Sequence, residues 1–366
     1  MNKKNIILFM PSILSGGVEK NFHIIANYFA TKFNNLYICT AIQKDKNKYN
    51  KKIKFIKPRN KINYHLNIRL KYLVALYLLF KFLINNKNSI VFAFQANIYC
   101  ILICKLFNVK VVIRSNTSPL GWKHNIIKKI AYNSIIKLAD AVIVNSLHFK
   151  KQMDSMFNIK SICIYNPFNY KEIIKLSKKK FKTTFFKNKK YLKIINIGRF
   201  TKQKDQITII KAIKNLDEKI NCKLIIVGIG KEENNLKKYV YENKLKKSIK
   251  IINYLKNPYS LLKQSDLFVL SSKYEGLPNV LLEAVAMEKF IISTDCPTGP
   301  REILLNGRGG LFFKIGDHID LAKKIIFYYN NKNKMKTKIK LAKRNLYKFN
   351  YEKNLSKYYK LINNIN

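Results

Sequence analysis

Residues 192–227 read LKIINIGRFTKQKDQITIIKAIKNLDEKINCKLIIV, and this stretch decides the fold. A strand-like run, 192–197, apolar apart from Lys193 and Asn196, ends at Gly198. Apolar residues then recur at helical spacing over 205–215, and a second apolar run follows at 223–227. Strand runs with no polar alternation suit a parallel sheet covered on both faces, and the helix between them is the crossover such a sheet needs.

The same alternation extends in both directions. Upstream, strands are expected at 6–10, 36–40, 53–56, 90–94, 109–113, 141–145 and 162–165, with helices at 18–31 and 97–106 among the intervening segments. Downstream, they are expected at 249–252, 267–270, 290–293 and 310–313, with helices at 232–243 and 280–287. After residue 317 only helical periodicity remains. The pattern lapses at 171–190, where the lysine-dense KEIIKLSKKKFKTTFFKNKK carries no clear strand. The reading is therefore α/β: two doubly wound Rossmann-like domains facing a central cleft, with a helical C-terminal tail. The expected divisions are 1–170, a linker at 171–190, 191–348, and a final helix at 349–366 returning toward the first domain.

Composition excludes several classes. With 366 residues, 48% of them hydrophobic, the chain has material for two cores, so disorder is excluded as a global description. The net charge of +51 comes almost wholly from lysine spread along the chain, which fits a compositional bias better than one basic face. A nucleic-acid-binding protein would concentrate that charge in a stripe with stacking aromatics, and none is legible. The six cysteines, Cys39, Cys100, Cys104, Cys163, Cys222 and Cys296, form no C-x-x-C pair. They read as reduced thiols of the cytoplasm, not as a zinc or disulfide framework. The five histidines read as ordinary residues. The apolar run 72–80 is too short to span a bilayer. Segment 64–87, with Arg69, Lys71, Lys81 and Lys87 among apolar clusters, reads either as a helix packed on the sheet or as an amphipathic helix able to rest on anionic lipid.

Four turns, each leaving a strand, carry the candidate chemistry. Ser15-Gly16-Gly17-Val18-Glu19 opens a helix, and its glycines allow a ligand close to the backbone. Asn196-Ile197-Gly198-Arg199-Phe200-Thr201-Lys202-Gln203-Lys204 places a guanidinium and an ammonium beside a helix start, a pairing suited to a diphosphate. Ser271-Ser272-Lys273-Tyr274-Glu275-Gly276-Leu277-Pro278-Asn279-Val280-Leu281-Leu282-Glu283 joins two carboxylates to a tight turn and a helix N-terminus. Asp295-Cys296-Pro297-Thr298-Gly299-Pro300-Arg301-Glu302 is the fourth. Eight of the 20 acids lie between Asp266 and Asp320, a concentration that favours a site in so basic a chain.

Together these turns resemble the retaining glycosyltransferases of family 4, with the GT-B fold. The resemblance rests on the E-x7-E pattern of Glu275 and Glu283, the G-R-F-x-x-x-K stretch, the early S-G-G-V-E turn and the D-C-P-x-G-P-R-E-I-L segment, in that order. It implies a metal-independent enzyme without cofactor. Such an enzyme moves a hexose or N-acetylhexosamine from a nucleotide sugar, expected to be UDP-linked, to a lipid-linked or surface-glycan acceptor. A GDP-mannose-dependent transferase of the same fold is the alternative, and a basic nucleic-acid-binding protein is the rival from another class. By resemblance, Arg199 and Lys204 hold the diphosphate with help from Gly198 and the Gly276-Leu277-Pro278 backbone. Glu283 holds the ribose, Glu275 holds the transferred sugar, and Gly16 and Gly17 admit the phosphate and acceptor; Glu275, Arg199 and Lys204 form the catalytic set. Where many relatives place a histidine, this chain reads Arg114-Ser115-Asn116, so Arg114 and Asn116 are the acceptor-side candidates. No metal site and no nucleic-acid partner are expected. The enzyme is placed in the cytoplasm, on the inner face of the membrane.

Overall fold

The computed structural model describes residues 4–14, 16–43, 46–59, 67–116, 132–179, 181, 183–188, 190–216, 219–296 and 298–365. Ser15, residues 64–66, Thr117, His124 and Pro297, which the sequence reading touched, lie outside the described residues. The chain divides into two compact units. One is Met1–Pro167 with Tyr351–Asn366; the other is Phe168–Asn350.

The first unit is built on β1 (Asn5–Phe9), β2 (Ser12–Ile13), β3 (Leu36–Cys39), β4 (Ile42–Gln43), β5 (Lys54–Ile56), β6 (Ser89–Ala93), β7 (Lys110–Arg114), β8 (Ala141–Val144) and β9 (Ile162–Cys163). Seven form one parallel sheet in the order β5-β3-β1-β6-β7-β8-β9. β2 and β4 make a separate short parallel pair, which the sequence reading missed because two residues carry no periodic signal. Successive side chains leave opposite faces of a strand. Ile7, Phe9, Val91 and Val111 therefore pack on one side with Leu79, Leu83 and Cys100. Ile6, Leu8, Phe92 and Val112 pack on the other with Phe22, Phe29 and Tyr358.

Tyr358 belongs to the C-terminal helix Tyr351–Asn364, which packs on helix Gly17–Phe29 of this unit. Its ring lies 6.0 Å from that of Phe92, and the neighbouring Tyr359 lies 5.3 Å from Phe33.

The second unit contains β10 (Leu192–Ile197), β11 (Cys222–Val227), β12 (Ile249–Ile252), β13 (Leu267–Leu270), β14 (Phe290–Thr294) and β15 (Leu311–Phe313). They form one parallel sheet in the order β12-β11-β10-β13-β14-β15. Its core joins Ile194, Leu224, Val269 and Ile292 to helices Gln206–Lys214 and His318–Asn330. The strand order reverses between β10 and β13, the switch point beside which open α/β sheets take their ligands.

The expected linker at 171–190 is corrected by the structure. It opens the second unit with helix Tyr170–Ser177, which packs against helix Tyr259–Gln264. The Asn257 amide donates to the Leu176 carbonyl (2.9 Å), and the Phe181 N–H donates to the Ser260 hydroxyl (3.0 Å). Ile173 and Phe186 are buried while the described lysines of the segment stay at the surface, so a segment without a strand signal still packs. All six cysteines are thiols outside any disulfide, and all but Cys163 are buried.

Candidate functional site

In the second unit, the loops leaving β10 and β13 flank the switch point, and each brings one charge. Lys204 Nζ lies 2.5 Å from Glu275 Oε1; the lysine side chain is 17% exposed and the carboxylate 8%. Either charge alone would be expensive to hold out of water, so each requires the other. The surrounding bonds run from loop to loop. The Ser271 hydroxyl donates to the Lys204 carbonyl (2.7 Å), the Lys273 N–H to the Gln203 carbonyl (2.8 Å), and the Gln203 amide to the Tyr274 carbonyl (2.8 Å). The Gln206 amide holds the Arg199 carbonyl at 3.0 Å.

The loop after β14 braces this turn from behind. Thr298 donates its hydroxyl to the carbonyls of Glu275 and, at 3.0 Å, Gly276. The Gly299 N–H donates to the Gly276 carbonyl at 2.8 Å, and a Cβ on Gly299 would lie 2.2 Å from that oxygen. Cys296 is buried beside the pair; burial, and then the Glu275 charge, push its thiol up to about 12. Asp205, at φ 49°, has its carboxyl raised by burial, against a 2.8 Å bond from the Thr208 hydroxyl and the charges of Lys273 and Lys211.

Helix Asn279–Ala286 starts immediately after Pro278, and Gly276, Leu277 and Pro278 are buried. Glu283 lies about one turn into that helix, 8% exposed, and accepts from the Tyr259 hydroxyl at 3.1 Å. Arg199 is exposed, and among the described residues its guanidinium makes no ion pair. The second unit thus gathers an exposed cation, a half-buried paired cation, two buried carboxylates and a helix N-terminus beside one switch point. That arrangement suits an anion with attached hydroxyls.

Two glycines were overlooked in the sequence. Gly228 and Gly230 form the turn after β11; a Cβ on the first would sit 1.9 Å from the Gly198 carbonyl oxygen, and one on the second 2.2 Å from that of Phe200. Their absence of side chain is what lets the Gly198–Phe200 backbone lie where it does. Gly198 itself meets only ordinary contacts, the nearest at 3.6 Å. The Gly-x-Gly spacing after a strand was the available signal.

In the first unit, Gly16 and Gly17 are exposed at the start of helix Gly17–Phe29, and the Lys20 N–H donates to the Gly16 carbonyl at 3.0 Å. The acceptor-side expectation for Arg114 is corrected by its surroundings. Arg114 is fully buried at the end of β7 and donates to the Tyr358 hydroxyl (3.0 Å), the Asn166 amide oxygen (2.5 Å) and the Asn116 amide oxygen. Asn116 in turn donates to the Phe94 carbonyl at 2.8 Å. Arg114 therefore ties the C-terminal helix to the sheet. The cause is a helix returning from more than 240 positions away, which no local pattern announces.

The fold is that of a GT-B protein, two parallel-sheet α/β domains, and comparison with known proteins says the same. Residues 177–345, nearly the whole second unit, match the family model of the Glycosyl transferases group 1. The chain is 36% identical over 220 residues to the uncharacterized glycosyltransferase MJ1059 of Methanocaldococcus jannaschii, covering 56% of this chain and 53% of that protein. It is 26% identical over 227 residues to a Campylobacter jejuni N-acetylgalactosamine-N,N'-diacetylbacillosaminyl-diphospho-undecaprenol 4-alpha-N-acetylgalactosaminyltransferase, covering 59% and 60%. The chain thus spans between half and two thirds of the length of these curated relatives. Among solved structures, Anabaena Alr3699/HepE in complex with UDP superposes with a TM-score of 0.77 at 15% identity, covering 99% of this chain and 100% of that one.

Proposed function

We propose that this protein is a retaining glycosyltransferase of family 4 type. It moves a hexose or N-acetylhexosamine from a UDP-linked donor to a lipid-linked acceptor of surface-glycan assembly. The observation that carries the reading is the pairing of half-buried Lys204 with buried Glu275 at the β10/β13 switch point. Support comes from the Campylobacter relative, whose name describes transfer to a diphospho-undecaprenol-linked saccharide, and from HepE, which binds UDP in its crystals.

In this reading Arg199 and Lys204 neutralise the donor diphosphate, joined by the N–H groups at the start of helix Asn279–Ala286. No metal is called on. Glu275 accepts hydrogen bonds from the transferred sugar and Glu283 from the ribose, while Gly16 and Gly17 serve the first-domain side of the donor. The anomeric carbon–oxygen bond to the diphosphate breaks, and a bond to the acceptor oxygen forms on the same face. The acceptor's proton passes to the departing phosphate oxygen. The protein's part is charge stabilisation and positioning. The reaction takes place in the cytoplasm at the membrane's inner face, where lipid-linked acceptors are reached.

Thermal unfolding with UDP, GDP or ADP, each with EDTA, tests the donor site. A ligand at roughly a hundred times its Kd stabilises by ~2.7 kcal/mol, a rise of several degrees in a unit this size. UDP is expected to give that rise in EDTA. A rise with GDP alone would instead select a GDP-mannose donor, and a flat response to all three, with or without metal, would overturn the reading.

A further inference from the structure

Helix Ile68–Ile84 of the first unit is apolar on two opposite faces. Ala75, Leu76, Leu79 and Leu83 face inward and pack into the core with Cys100 and Cys104. Leu70, Leu73, Tyr77, Phe80 and Ile84 are exposed, Leu73 and Tyr77 each at 63%. At 3.6 residues per turn these five fall in one stripe about 80° wide. Arg69 and Lys81 lie at its two borders, both exposed, while Lys71 is buried away from it. The neighbouring helix Asn97–Leu106 packs alongside, with Phe80 and Phe107 rings 5.1 Å apart, and adds exposed Tyr99, Leu102 and Leu106. Contiguous apolar surface of this kind marks an interaction site on a soluble domain.

Charge decides what covers it. No aspartate or glutamate occurs between Asp45 and Asp140, whereas lysine and arginine recur throughout that stretch. Asp140 itself sits between Lys105 and Lys110, at 3.0 and 3.1 Å, at the margin of the patch. A second copy of this chain would bring another +51 against the first, so self-association here is opposed by long-range repulsion. An anionic bilayer is attracted by the same charge. No helix among the described residues is long and apolar enough to cross a membrane, so the mode is a helix pair lying in the interface plane.

We propose that the exposed faces of helices Ile68–Ile84 and Asn97–Leu106 form a docking surface for an anionic lipid bilayer, with Leu73, Tyr77, Leu102 and Leu106 entering the acyl boundary and Arg69 and Lys81 meeting the headgroups. The surface gives the lipid-linked acceptor of the proposed function a place to be met. It is argued from the first unit alone, and its readout is vesicle binding, so it can fail while the nucleotide response stands, and the reverse.

The experiment is co-sedimentation of the whole chain with phosphatidylcholine vesicles, with and without phosphatidylglycerol, at low and physiological salt. The double variant Leu73→Ser, Tyr77→Ser is compared with Tyr241→Ser, a similarly exposed apolar residue of the second unit. Thermal unfolding checks that all three proteins are folded. The wild type should bind phosphatidylglycerol vesicles, the double variant roughly tenfold or more weakly, and Tyr241→Ser like wild type. Equal binding by the double variant would mean charge alone without this face, and overturns the proposal. So would absence of wild-type binding at low salt, or a dimer in sedimentation velocity that the double variant dissolves.

Discussion

Glu275 and Lys204 hold each other in place at the centre of the second unit's loop cluster, and removing one leaves the other buried without a counter-charge. Glu275→Gln is expected to cost about 3 kcal/mol in urea unfolding and to abolish transfer. Combining it with Lys204→Met should cost clearly less than the two single changes summed, because the double variant buries no lone charge; strict additivity would mean that the pair is not coupled. Arg114 poses the same problem in the first unit with hydroxyl and amide partners in place of a carboxylate. Tyr358→Phe removes the acceptor for Arg114 Nε and the donor to the Ile164 carbonyl, now 3.2 Å away. Its expected cost is about 1–3 kcal/mol, the range for a buried polar group left unpaired.

At the scale of elements, the turns between strands and helices are fixed by backbone proximity as much as by side chains. Gly228→Ala places a methyl group against the Gly198 carbonyl, so the β10 turn must move. The variant should lose about 1–3 kcal/mol of stability, the usual cost of overpacking, and lose its nucleotide response with it. If Gly228→Ala unfolds like wild type, the close approach is not required. In the first unit, Asp140 joins β7 to helix Asn97–Leu106 through the Val111 N–H (2.8 Å) and the ammonium of Lys105. Burial alone would raise its carboxyl, but the Val111 bond and the Lys105 and Lys110 charges outweigh it and hold the group below the ordinary 3.8. A depressed folded-state value gives stability that is fully present above 3.8 and is lost as pH falls through the folded value. Acid unfolding of Asp140→Asn should lack that component, seen as a flatter stability profile below pH 4.

On the scale of the molecule, the two units differ in how the chain builds them. The second is one continuous stretch, Phe168–Asn350, whereas the first requires Tyr351–Asn366 to return to it. Residues 168–350 expressed alone should therefore unfold cooperatively and keep a nucleotide-induced rise in midpoint. Residues 1–167 alone should be unstable, since Leu355, Tyr358 and Ile362 leave the core and Arg114 loses a partner. Circular dichroism melts of the two fragments check both outcomes.

Most strand positions and the division into two α/β units were legible in the residues, as was the E-x7-E turn itself. Buried parallel strands are apolar without interruption, and the loops at their carboxyl ends must carry whatever the sheet binds. The pairing of Lys204 with Glu275 was not legible, because 71 positions separate two residues that only the adjacency of β10 and β13 brings together. The same holds for Arg114, whose partner stands on the last helix, and for Lys71, a charged side chain that packing turns inward. Local pattern determines which element a residue joins; the order of strands and the return of the chain decide what it meets.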